Sequence, residues 1–288
     1  MRKILLQLDA DSQPSVFDAI TAADAADCVL LRHGGVTAEN APALVHGCMF
    51  TRSPQDLANT AIFIGGSNIE AAEEILRAVS GTLWEPLNVS VMFDPGGCNT
   101  TAAAAVYFIA SAIGAEGRKI AVVSGTGPVG QRAAGLASKL GARVVITSRS
   151  LEKAELAADA IEERFGSRPE CAVVRAADDL PPVLDDAAAV LCCGAAGVEL
   201  IPEQIWREHP TIKVAADVNA VPPFGLAGAK TQWRGENIGG KLIYGAIGIG
   251  WLKMKLHRLA LTRLFESVGT VLDAEGVYAL ASEAAGAR

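Results

Sequence analysis

KIAVVSGTGPVG, residues 119–130, decides the fold. An apolar run of strand length passes directly into Gly125-Thr126-Gly127-Pro128-Val129-Gly130, and residues 129–140 follow as a helix-like stretch. A GxGxxG placed between a strand and a helix has a physical reading. Gly125 permits the tight turn, Gly127 lets backbone N–H groups approach a pyrophosphate, and Gly130 lets the helix pack close to the strand, so that the helix N-terminus faces the phosphates. The same glycines without that setting would be an ordinary turn. Here they predict a Rossmann-type dinucleotide-binding domain, with Gly125, Thr126, Gly127, Pro128, Val129 and Gly130 on the cofactor.

Working outward, the alternation continues: a strand over 143–147, a helix over 151–165, and strands over 172–175, 189–193 and 213–217. The Gly-rich apolar stretch 243–250 supplies a last strand. The tip of the second strand selects the cofactor, because an acid there would accept from ribose hydroxyls and repel a 2′-phosphate. This chain has Thr147, Ser148, Arg149 and Ser150 in that place, with Lys153 one helical turn later. A guanidinium flanked by hydroxyls matches a phosphate dianion, so the expected cofactor is NADP, held by Ser148, Arg149, Ser150 and Lys153. In an open parallel sheet the ligand lies beyond the carboxyl ends of the strands. Gly194 and Ala195, after the strand at 189–193, are therefore candidate contacts, and Asn219 is a candidate at the nicotinamide end.

Upstream, four short apolar runs at 4–8, 28–31, 61–64 and 89–93 alternate with helix-like stretches such as 70–79. That pattern predicts a second α/β unit with a largely parallel sheet. After Asp94, Pro-Gly-Gly leads to Asn99, Thr100 and Thr101, which can cap a helix over 101–115. Helices over 252–266 and 273–283 close the chain. The expected organisation is an N-terminal α/β substrate domain (1–100), the NADP domain (101–250) and C-terminal helices (251–288) packing back on the first domain.

The 288 residues are 50% apolar and 20% charged, ample for a sizeable core, which excludes wholesale disorder. Lys+Arg 25 against Asp+Glu 32 leaves a net charge of −7 with no basic run, so a nucleic-acid partner is not expected. The six cysteines are scattered, without the CxxC and histidine spacing of a zinc site; they read as reduced thiols, and no metal is expected. The apolar start is broken by Gln7 and stopped at Asp9, too short for a secretory segment, and the uncharged stretch 95–115 reads as a buried helix and not a membrane span. A cytoplasmic location is expected.

Several segments resemble the NADP-dependent methylene-tetrahydromethanopterin dehydrogenases of methylotrophic bacteria, some of which also accept methylene-tetrahydrofolate. They are PSVFDAI (14–20), TAIFIGG (60–66), NTTAAA (99–104), SGTGPVG (124–130), VAADVNAVPPFG (214–225), GAIGIGWLKMKLHR (245–258) and LFES (264–267). The resemblance covers nearly the whole chain. Two features depart from it, Pro-Gly-Gly-Cys at 95–98 and the bulky Trp251 after Gly250, and they leave the choice of pterin open. The resemblance implies a cleft between the two domains, a reduced pterin carrying a one-carbon unit as substrate, and a homo-oligomer, trimeric or hexameric.

The implied reaction moves a hydride from the methylene bridge to C4 of NADP⁺ and leaves a methenyl cation, with no proton to relay. Proximity and face selection then dominate. Asp18 is the candidate acid, for the developing cation or for pterin N–H groups; the alternative is a helix N-terminal acid. Lys255 is the candidate that orients the pterin, with a solvated helix lysine as the alternative. Asn99 and Thr100 are candidate substrate contacts, competing with a capping role. His257 reads as structural. Rival readings are a shikimate-type or methylene-tetrahydrofolate-specific dehydrogenase, and a non-catalytic NADP-responsive module. The first rivals use a catalytic lysine in the N-terminal domain, where this chain has only Lys3 before residue 119.

Overall fold

The computed structural model describes residues 1–287, which divide into two compact units. Among these, unit 1 comprises residues 1–100 and 254–287, and unit 2 comprises residues 101–253.

In unit 1 the chain runs through β1 (Ile4–Asp9), α1 (Val16–Ala26), β2 (Val29–His33), α2 (Ala41–Met49), β3 (Thr60–Gly65), α3 (Ile69–Thr82) and β4 (Ser90–Phe93) into α4 (Cys98–Ile113). Unit 2 follows with β5 (Lys119–Val123), α5 (Pro128–Lys139), β6 (Arg143–Ser148), α6 (Leu151–Phe165), β7 (Glu170–Val173), α7 (Leu180–Leu184), β8 (Ala187–Cys192), α8 (Glu203–Glu208), β9 (Val214–Asp217), β10 (Arg234–Ile238) and β11 (Lys241–Tyr244). The chain ends with α9 (Ala246–Arg263), β12 (Val271–Leu272), α10 (Ala274–Ala279) and α11 (Ala281–Gly286). The division between units falls inside α4 and inside α9.

The sheet of unit 1 has the order β12-β4-β3-β1-β2, and every pairing in it is parallel. Alternation sets its two faces. Leu6, Leu8, Ile62, Ile64, Val91 and Phe93 join a fully buried cluster with Val45, Met49, Ile75 and Val79 of α2 and α3. Burying each such side chain contributes about 1.5–3 kcal/mol, which is what holds these helices on that face. Gln7 and Phe63, paired in register, point to the opposite face. The C-terminal segment returns to this unit and adds β12 alongside β4, Val271 opposite Val91.

Unit 2 orders its strands β10-β11-β9-β8-β5-β6-β7, parallel except for the β10–β11 pair. The order reverses between β5 and β8, the switch point at which such sheets open a ligand crevice. Two expectations need correction. The stretch 243–250 is not one strand: β11 stops at Tyr244, and α9 begins at Ala246. A Cβ on Gly245 would lie 2.3 Å from the Lys230 carbonyl oxygen and one on Gly248 1.9 Å from that of Trp233, so these two glycines serve a close approach to the preceding loop. The helix expected over 101–115 starts at Cys98, because Asp94 accepts from the N–H groups of Asn99 (2.9 Å) and Thr100 (3.0 Å) and so caps it from four residues upstream.

No helix among the described residues is long and apolar enough to cross a membrane, and none of their His, Cys, Asp and Glu side chains group as metal ligands would. All six cysteines are free thiols. Burial pushes Cys48 up to about 11 and raises Cys192 and Cys193 well above the ordinary thiol range. Because the thiolate is the reactive species, these three should resist iodoacetamide at pH 8 in the native protein and react fully in denaturant. Mass spectrometry of tryptic peptides reads the difference, and rapid native alkylation would contradict it.

Candidate active site

The dinucleotide crevice of unit 2 is built by the turn between β5 and α5. Ser124 takes a left-handed conformation (φ 57°), and its N–H donates to Thr147 Oγ1 (2.9 Å), while Gly125 N–H donates to the Thr147 carbonyl (3.1 Å). The positive φ falls on Ser124, one residue before the glycines. Space decides the first and third glycines. A Cβ on Gly125 would meet the Val122 carbonyl oxygen at 2.8 Å, and one on Gly130 would meet Gly125 Cα at 2.6 Å. Around Gly127 nothing lies within 4 Å of that position, so its backbone is open to a ligand. Pro128, which has no N–H of its own, opens α5; no side chain caps this first turn, and the N–H groups of the residues after Pro128 are left for an anion. Gln131 Nε2 ties the loop by donating to the Thr126 carbonyl (2.7 Å).

Gly130→Ala places a methyl group in the turn's backbone. The expected result is a loss of dinucleotide affinity of about 100-fold, together with overpacking that costs about 1–3 kcal/mol. Calorimetric titration and thermal unfolding measure the two effects, and unchanged affinity would contradict the cradle.

Beside this turn lies a cavity of about 340 Å³, lined by Ser124, Thr147, Arg149, Arg175, Ala195 and Glu199 among others. It opens at the carboxyl ends of β5, β6 and β7. Arg149 is exposed, and its carbonyl accepts from Arg175 Nε (3.2 Å). Arg175, just past β7, therefore puts a second guanidinium on the same wall. Sequence reading passes over it, because nothing in the local pattern distinguishes it from a surface arginine; only the β6–β7 pairing brings it to Arg149.

The other expected contacts divide. Ser150 caps α6, its hydroxyl accepting from Lys153 N–H (3.4 Å), and Ser148 is buried, its hydroxyl accepting from Ser150 N–H (3.3 Å). Lys153 stands exposed on the first turn. Ala195 lines the cavity; Gly194 packs against Leu200. Asn219 is buried and internally engaged, donating to the Pro223 carbonyl (3.2 Å) and accepting from Val221 N–H (2.9 Å), which shapes the loop at 219–223.

In unit 1 polar groups gather at the carboxyl ends of β1, β3 and β4. Asp9 accepts from the N–H groups of Asp11 and Ser15 (3.0 Å each) and folds the β1–α1 loop. Asp18 sits in the first turn of α1, its side chain 12% exposed. A Cβ on Gly65 would stand 3.5 Å from carboxylate oxygens of both Asp9 and Asp18, so the two acids converge there. Asp94 is fully buried and accepts from Thr100 Oγ1 (2.7 Å) and the two α4 N–H groups. His257 of α9 reaches the same place, with Nδ1 3.0 Å from Asp94 and Nε2 3.8 Å from Asp18.

Asn99 and Thr100 are fully buried, and Asn99 also donates through Nδ2 to the Phe93 carbonyl. Their hydrogen bonds to Asp94 support it from within the unit. Lys255 donates to the Ala287 carbonyl. Asp94 is the residue that sequence reading missed: its spacing before Pro-Gly-Gly marks a turn, while its role as the hub of Asn99, Thr100 and His257 is a tertiary fact.

The family description "Methylene-tetrahydromethanopterin dehydrogenase, N-terminal" matches residues 16–96. Over 99% of both chains the protein is 41% identical to the "Bifunctional protein MdtA" of Methylorubrum extorquens. It is 31% identical, again over 99% of each chain, to the NAD(P)-dependent methylenetetrahydromethanopterin dehydrogenase of the same organism. The shikimate 5-dehydrogenase of Mycobacterium fortuitum superposes over 97% of both chains with a TM-score of 0.52 at 17% identity, a likeness of fold alone. Two full-length relatives above 30% identity, together with the matched N-terminal segment, establish that the chain belongs to the methylene-tetrahydromethanopterin dehydrogenase family.

Proposed function

We propose that the protein oxidises a methylene-bridged reduced pterin, methylene-tetrahydromethanopterin or additionally methylene-tetrahydrofolate, to the methenyl form with NADP⁺. The observation that carries this reading is the pairing of Arg149 and Arg175 on one wall of the cavity beside the glycine turn. Two guanidiniums suit a dianionic 2′-phosphate and leave an unphosphorylated ribose without comparable partners. The residues present fit the cofactor: Gly127 and the uncapped first turn of α5 for the pyrophosphate, and Arg149, Arg175, Lys153 and the Ser150 hydroxyl for the phosphorylated ribose. NADP⁺ bound there supplies the hydride acceptor.

On the substrate side, residues 1–100 and 251–288 form the pterin-binding part in this reading. The low exposure of Asp18 means that its charge acts through a poorly screened medium on a cation forming beside it. Lys255 orients the pterin by position, since a cation gives no direct support to a growing positive charge. Asn99 and Thr100 contribute by holding Asp94. A shikimate-type mechanism needs its lysine in the N-terminal segment, where Lys3 is the one lysine before residue 119 and precedes β1, at the opposite end of the strand from Asp9. The same reading makes the protein a cytoplasmic homo-oligomer, trimeric or hexameric.

The test is an absorbance assay at 340 nm with each of the two methylene-pterins against NADP⁺ and NAD⁺. Turnover with methylene-tetrahydromethanopterin and a preference for NADP⁺ are expected. Cofactor binding without absorbance change on any methylene-pterin would instead identify an NADP-responsive module.

A further inference from the structure

His257 is the one group in the acid cluster of unit 1 for which the hydride chemistry has no evident use, and its surroundings are not those of a passive core histidine. The ring is fully buried. Asp94 already accepts from Asn99 N–H, Thr100 N–H and Thr100 Oγ1, so the carboxylate acts as an acceptor and the proton of its contact with His257 (3.0 Å) resides on Nδ1. Phe63 and Phe17 flank the ring edge-on, at centroid distances of 5.6 and 6.4 Å. The imidazole is thus fixed in tautomer and orientation from one side, which is the purpose such a carboxylate–histidine contact serves.

What it is fixed towards is Asp18. Nε2 is buried with no hydrogen-bond partner among the described residues, and Asp18 Oδ1 lies 3.8 Å away. A buried nitrogen left in that state is unfavourable, and in a neutral ring its lone pair would face a carboxylate. Asp18 and Asp94 thus face the ring from α1 and from the end of β4. A proton on Nε2 resolves both problems at once. It turns two facing acceptors into a donor and an acceptor, and it sets a positive charge between the Asp18 and Asp94 carboxylates.

We infer that His257 is a positioning residue for Asp18: anchored by Asp94 at Nδ1 and carrying a proton on Nε2, it holds the Asp18 carboxylate aimed at the site where the pterin's cation forms. The inference rests on the reading of Asp18 given under Proposed function. His257 itself touches no reacting atom and transfers no proton, so the hydride reaction keeps its balance unchanged.

A double-mutant cycle on the full-length protein tests it, with kcat and KM measured for Asp18→Asn, His257→Asn and the pair, and folding followed by thermal unfolding. His257→Asn should lower kcat by about 10- to 100-fold, the scale on which a misaligned group slows a reaction, with the KM for NADP⁺ within about twofold of wild type. In the Asp18→Asn background the same change should have almost no further effect on kcat, because its target is gone. A structural role would give equal losses in both backgrounds, and that additivity would overturn the inference. If Asp18→Asn keeps full activity, the reading of Asp18 fails and the inference fails with it, a result distinct from additivity. Should His257→Asn not fold, ¹⁵N spectra of the histidine rings in the wild-type protein decide the matter. With four histidines the set is small. A buried ring carrying protons on both nitrogens at pH 7 supports the inference, and a neutral buried ring overturns it.

Discussion

Arg149→Glu should raise the KM for NADP⁺ by about 100- to 1,000-fold while changing kcat at saturating cofactor by no more than about threefold. The substitution removes a charge-assisted hydrogen bond, worth about 1.5–3 kcal/mol, and replaces it with repulsion of a dianion; a total near 3–4 kcal/mol corresponds to that range. Because the 2′-phosphate lies at the far end of the dinucleotide from the nicotinamide, the loss is uniform binding and leaves the chemical step alone. Arg149 is exposed, and its guanidinium forms no ion pair among the described residues, so the fold should be unaffected. With NAD⁺ the same variant should lose almost nothing. Steady-state kinetics with both cofactors measures the contrast, and equal losses would contradict the assignment.

Asp18→Asn should lower kcat by about 100- to 1,000-fold with little change in the KM for NADP⁺. Asn keeps the shape and removes the charge, so the loss isolates electrostatic support for the methenyl cation, of the size seen when one preorganised group opposite a developing charge is deleted. The competing role is visible in the structure: Asp18 lies in the first turn of α1, whose Ser15 cap accepts from its N–H at 3.2 Å. An acid favourable to the helix dipole contributes about 0.3–1 kcal/mol to stability and nothing to turnover. Magnitude therefore separates the two. A melting point lowered slightly with kcat unchanged would identify a helix-end acid only; a large fall in kcat with a near-native melting point identifies a catalytic one. Binding of the methenyl product should weaken in parallel.

How much of this was legible in the sequence depends on how local each feature is. The turn at 119–130 could be read because strand, glycines and helix are contiguous, and the exclusion of side chains at Gly125 and Gly130 is a consequence of that one turn. Arg149 could be read because β6 follows at a fixed distance. Arg175 could not, since it meets Arg149 only through strand pairing and the backbone bond to the Arg149 carbonyl. α4 starts three residues before the position its pattern suggests, because its cap is Asp94, beyond a Pro-Gly-Gly turn that breaks the pattern of a capping residue next to its helix. The strand expected over 243–250 is absent for a related reason: Gly245 and Gly248 answer to the carbonyls of Lys230, Thr231 and Trp233 in the preceding loop, which lie outside any local window. Most distant is the contact between Asp94 and His257, separated by 163 residues. Each residue looks ordinary alone, and their meeting depends on the return of the C-terminal segment to the first sheet.

The cofactor assignment depends on where the phosphorylated ribose binds. A crystal structure of the protein soaked with NADP⁺ tests this most directly. The account predicts density for the 2′-phosphate between the guanidiniums of Arg149 and Arg175, with the pyrophosphate over Gly127. A 2′-phosphate placed away from both arginines, or a dinucleotide bound outside the β5–β8 switch point, would contradict it.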